Sequence, residues 1–183
     1  LILCVRTPKV KTDVVLTFVG DDKPGLVESV SRIISDHEGN WLESRLSQLA
    51  GKFAGIIRVS VDESRAATLI ESLQRLRAVG LSVVSERAGV MATVVPKRRQ
   101  TLTLLGLDHP GIVRDVSHAL AARQINVLEL NTNITRAAMT GEPMFEAEAT
   151  IEYPADIDLP EFEAHLAAIS REIGVDVELV DND

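Results

Sequence analysis

In the first half of the chain, apolar residues fall at positions 26, 27, 30, 33 and 34, the one-face spacing of an amphipathic helix. They follow the mostly apolar run VVLTFV that begins at Val14, which predicts a strand central in a sheet. Asp22 is the expected N-cap of this helix, with Pro24 near its first turn and Gly39 at its exit. Two further strand patterns, NWLESRLSQL and FAGIIRVSV, join around Ala50 and Gly51. A second helix is expected over 64–79, and a short strand, LSVVSE, closes the set. The predicted order is β-α-β-β-α-β.

The pattern then repeats. Gly20, Asp22, Pro24 and Gly25 return 86 positions later as Gly106, Asp108, Pro110 and Gly111. The register persists through Leu26 and Ile112, Val30 and Val116, Asn40 and Asn126, and Glu43 and Glu129, which chance does not sustain. The second copy runs from TLTLLG through NVLELNTNIT, MFEAEATIEY and a helix over 159–173 to VDVELV. Its hairpin is longer, 23 residues from Asn131 to Tyr153 against 17 from Arg45 to Val61, so the two copies need not be equivalent.

Twice β-α-β-β-α-β is the order of the ferredoxin-like α+β sandwich, in which two helices cover one face of a four-stranded antiparallel sheet. The expected division is a first domain over 13–87, a linker or extra strand over 88–99, and a second domain over 100–183.

The 183 residues are 45% hydrophobic and 25% charged, the composition of an ordinary folded chain. A formal net charge of −8 opposes phosphate backbones and anionic membrane surfaces, so direct nucleic-acid and membrane partners are not expected. Cys4 is the only cysteine, which rules out an internal disulfide and makes a reducing cytoplasm the expected compartment. The opening LILCVRTPKV holds too short an apolar block for a secretory signal. His37, His118 and His165 show no paired ligand spacing, and no nucleophile-base motif or phosphate loop is present; neither a metal, a cofactor nor a catalytic residue is expected.

The chemistry of the chain concentrates in its repeated turn. Asp-x-Pro-Gly after a strand opens a helix whose first N–H groups have no intrahelical partner, and a carboxylate placed there gains hydrogen bonds and a favourable dipole end. Glycine at 25 and 111 lets a ligand approach the backbone closely. Candidate ligand-binding residues are therefore Asp22, Lys23, Pro24, Gly25 and Leu26, and in the second copy Asp108, His109, Pro110, Gly111 and Ile112.

The segments GDDKPGLV...GNW and GLDHPGIV...INV resemble the glycine and asparagine signature of ACT domains, small amino-acid-sensing modules. The tandem layout and NWLESRLSQLAGKF are similar to the glycine cleavage system transcriptional repressor family, over about 13–180. The resemblance implies that Asn40 and Asn126 contribute to ligand binding from across an interface between modules. Glu43 and Glu129 lie three residues further on, which in a regular strand sets them on the opposite face.

It also implies a non-enzymatic regulator that takes a small amino acid such as glycine and acts through a transcriptional activator as protein partner. The alternative is a stand-alone regulatory subunit of an amino-acid metabolic enzyme. A homodimer or intramolecular pairing of the copies is expected, because sheet edges in this fold invite side-by-side pairing. RNA recognition shares the element order but needs stacking aromatics, which make up only 3% of the chain.

Overall fold

The structure is a computed structural model, which describes residues 10–89 and 96–180. The chain divides into two compact units, residues 1–91 and 92–183. The first contains β1 (Lys11–Asp21), α1 (Leu26–Asp36), β2 (Asn40–Leu49), β3 (Lys52–Asp62), α2 (Glu63–Gln74) and β4 (Leu81–Arg87). The second contains β5 (Lys97–Leu107), α3 (Ile112–Ala121), β6 (Asn126–Arg136), β7 (Pro143–Pro154), α4 (Leu159–Ile173) and β8 (Val175–Val180). Their sheets are ordered β2-β3-β1-β4 and β6-β7-β5-β8, antiparallel throughout. The fold is thus the α+β ferredoxin-like sandwich in tandem, with the first strand of each copy central as its apolar run requires.

Alternation decides which sheet face is covered. Val14, Leu16 and Phe18 on β1 and Ile57, Val59 and Val61 on β3 point to one side and are buried with Val30 and Ile34 of α1 and Leu69 and Leu73 of α2. In the second unit Leu102 and Leu104 meet Ala147, Ala149, Ile151 and Tyr153, under Val116 and Leu120 of α3 and Phe162 and Leu166 of α4. The Nδ1–H of His37 donates to the Ile33 carbonyl at 2.8 Å, which leaves Nε2 to accept from the Ser72 hydroxyl at 3.2 Å and ties α1 to α2.

Several local expectations are corrected. The N-cap of α1 is Gly25, with no side-chain cap; Asp22 lies three residues earlier and donates its backbone N–H to the Gly51 carbonyl at 2.9 Å. Pro24 stands immediately before the cap, near the first turn as expected. At the exit of α1 the left-handed residue is Glu38, φ 55°, not Gly39. Gly39 is needed for space instead, since a Cβ there would come within 3.1 Å of Ile34 and Val59. The second helix ends at Gln74, and Arg75–Val79 tightens into a 3-10 turn closed by Gly80. Of the segment expected to link the copies, 90–95 lies outside the described residues, and from Lys97 onward it is already β5.

Lys97 and Arg99 at the start of β5 pair with Glu152 of β7 at 2.6 and 3.1 Å. The Lys97 hydrogen bond, with that of Arg99 behind it, holds the Glu152 carboxyl below its usual range. A depressed carboxylate contributes stability above its unfolded value and loses it as the pH falls through the folded one. Glu152→Gln is therefore expected to lower the melting temperature at neutral pH and to converge with the parent protein in acid; parallel melting curves across the pH series would contradict this.

Candidate functional site

Each turn is built the same way. Strand β1 or β5 ends, the chain is pinned to its own hairpin by the N–H of Asp22 on Gly51 or of Asp108 on Pro143, both at 2.9 Å, and a glycine then reverses it into the helix. Gly25 has φ 90° and Gly111 φ 109°, values at which an L side chain is strained. Neither α1 nor α3 has a side-chain cap, so the N–H groups of the first turn are left to solvent or a ligand. Nothing lies within 4 Å of where a Gly25 Cβ would be. Asp22, Lys23, Pro24, Asp108, His109 and Pro110 are exposed, whereas the side chains of Leu26 and Ile112 are core and can offer only backbone.

The variable position of the turn has an occupation that sequence reading missed. Lys23 Nζ donates to the Val79 carbonyl at 3.0 Å, and the Nε2–H of His109 donates to the Ile173 carbonyl at 2.8 Å. Val79 and Ile173 are the residues before Gly80 and Gly174, the left-handed glycines that end the second helical segment of each unit. Both side chains thus satisfy an orphan carbonyl where that segment stops, and the partners lie 56 and 64 residues away, beyond any local signal.

The surroundings of the two turns differ. Beside the second, a polar pocket of about 450 Å³ is lined by His109, Arg114, Asp115, His118 and Glu172 among others. Arg114 chelates Asp115 at 2.8 and 3.2 Å and holds its carboxyl below the ordinary value against the opposing effect of burial; His109 and His118 add to the lowering. The matching first-unit positions carry Lys23, Glu28, Ser29 and Arg32. No group of three or more His, Cys, Asp or Glu able to hold a metal occurs among the described residues.

Asn40 and Asn126 open β2 and β6, and both are exposed. Asn40 pairs with Ser60, which pairs with Asp13, while the turn lies beyond Asp21. Eight residues of strand separate them, about 27 Å at 3.4 Å per residue. Asn126 stands in the same relation to its turn through Glu152 and Arg99. Within one unit, then, the structure does not bring asparagine and turn together.

The expected placement of Glu43 and Glu129 is overturned by a β-bulge. Register shifts between Trp41 and Glu43 and between Val127 and Glu129, so Leu42 and Leu128 are extra residues. One inserted residue restores the parity, and Asn40 and Glu43 share the helix-free face, as do Asn126 and Glu129. Glu43 is neutralised by Arg58 at 3.0 Å, whereas Thr150 stands opposite Glu129. All six aromatic side chains lie on helices or on helix-facing strand positions, leaving the open sheet faces without a stacking platform for RNA bases.

The model of the ACT domain family matches residues 12–85. The glycine cleavage system transcriptional repressor of Escherichia coli strain K12 is 26% identical over 161 residues, 87% of this chain and 84% of its own. A crystal structure of a protein of unknown function from Galdieria sulphuraria is 26% identical and superposes with a TM-score of 0.83 over 95% of this chain and 100% of its own. A second crystal structure, provisionally assigned as a glycine cleavage system transcriptional repressor, is 19% identical with a TM-score of 0.70 over 94% of this chain and 99% of its own, and supports the fold. No helix among the described residues is long and apolar enough to cross a membrane.

Proposed function

We propose that this tandem of ferredoxin-like modules, an ACT domain at residues 12–85 and its repeat, is a non-enzymatic regulator that binds a small amino acid, glycine foremost, and passes the signal to a protein partner. The observation that carries the reading is the uncapped, glycine-opened helix start present in both copies, with open space over Gly25. An α-carboxylate fits such a start, where N–H groups and the helix dipole both favour an anion. The relation to the repressor supports regulation of glycine cleavage genes. On this reading the partner is a transcriptional activator.

Asn40 and Asn126 join the site only from another module, because each lies about 27 Å from the turn of its own unit. A side-by-side antiparallel arrangement, in a homodimer or between the two copies, sets the beginning of one β2-type strand beside the far end of its neighbour. Glu129, on the face of Asn126 and opposite a threonine, is better placed than Glu43 to receive the ammonium group.

The test is a thermal-shift titration of the whole chain with each amino acid, followed by calorimetry. Ligand at 100 times its Kd stabilises by about 2.7 kcal/mol. A saturable shift with glycine that disappears in Asn40→Ala or Asn126→Ala is the expected result; no shift with any amino acid would leave the turns as strand-to-helix connections only.

A further inference from the structure

We propose that the second unit carries an apolar binding site: a cavity of about 170 Å³ between α3, β6 and β7 that takes a compact, uncharged hydrocarbon group, branched aliphatic or a single aromatic ring. It uses none of the residues of the turns.

The cavity follows from matched positions. Ala149 stands opposite Leu102 as Ile57 stands opposite Leu16. Thr132 stands opposite Ala147 as Leu46 stands opposite Gly55, and Val127 follows Trp41 by the repeat interval of 86. In the first unit the indole of Trp41 and the side chain of Leu46 pack onto the core. In the second, the isopropyl group of Val127 and the methyl of Ala149 line the cavity where Trp41 and Ile57 stand in the first, and the space stays open. Leu130, which replaces Ser44, does not refill it: the side chain lines the cavity and remains 43% exposed.

The lining selects its occupant. Only Ser117 among the lining residues has a polar side chain, so a charged group would lose its hydration without compensation. A comparable apolar cavity of about 150 Å³ in another protein stays dry and binds benzene, which fixes the size class. Val113, Val127 and Leu130, 36–43% exposed, form a mouth through which a small molecule enters.

The experiment is methyl NMR of the full chain titrated with benzene. Saturable shifts are expected at Val113, Val127 and Leu130 and none at Val27 or Leu46. Ala149→Ile, which restores the first unit's residue, should weaken binding about tenfold or more, since it adds three carbons where one methylene is already worth about tenfold. Should that variant not fold, Val127→Phe fills the same space from β6. Shifts that grow linearly, spread through both units or survive the filling variants overturn the proposal. So do shifts that appear only on dilution as an oligomer dissociates, which would show the mouth to be covered by a second copy.

Discussion

Gly20→Val and Gly106→Val are expected to destabilise strongly the unit that carries them. A Cβ at Gly20 would sit 2.9 Å from the Gly80 carbonyl oxygen, and one at Gly106 would sit 2.9 Å from the Val175 Cα and 3.1 Å from the Gly174 oxygen. These are backbone atoms of the last strand and of the residue leading into it, so no rotamer change relieves the contact. Overpacking in a tight interior costs about 1–3 kcal/mol and occasionally more. Here the valine must push an edge strand off the central one, and the cost belongs at or above the top of that range. Against a domain stability of about 5–15 kcal/mol, the expected result in thermal or urea unfolding is a large fall in the midpoint of the corresponding unit. A melting temperature within a few degrees of the parent would show that the strand shifts without penalty.

Gly25→Val and Gly111→Val should behave in the opposite way, keeping the fold and losing the ligand. Space around the Gly25 Cβ is open, and at Gly111 its nearest neighbours would be Arg114 Nη2 at 3.2 Å, Asp115 Oδ2 at 3.4 Å and Arg114 Cζ at 3.7 Å, all side-chain atoms. The cost is that of a left-handed L residue, about 1–2 kcal/mol. The side chain would nevertheless stand over the first-turn N–H groups, where the carboxylate is proposed to lie. Calorimetry with glycine should then show no binding at the altered copy, while circular dichroism shows native helix content. Retained affinity would remove the turn from the site.

The contrast between the two glycines of one motif marks how far the sequence is legible. Repeat, element order and covered faces all follow from periodicity, because the core of each unit is made by strict alternation on β1, β3, β5 and β7. What local pattern does not reveal is any feature whose partner lies elsewhere. Asp22 reads as a cap from its neighbours, yet its N–H is drawn to a hairpin some thirty residues on. Gly39 reads as the helix exit, yet Glu38 takes the positive φ and Gly39 merely clears Ile34 and Val59. The candidate asparagines are legible only as residues opening a strand; their distance from the turn emerges from the strand pairing. The cavity in the second unit is not legible locally, because Val127 and Ala149 each look ordinary until set beside Trp41 and Ile57.

The two bulges set different tolerances for length change along the same hairpin. The tip of the second hairpin carries six residues, Ala137–Glu142, closed by its own hydrogen bonds, where the first has only Ala50 and Gly51. Growth there leaves both strands in register. At Leu42 or Leu128 the opposite holds. A single-codon deletion would erase the bulge and invert Asn40 and Trp41, or Asn126 and Val127, between sheet faces. It would also straighten an outer strand whose irregularity helps to keep it from adding further chains without limit, the first step towards fibrils.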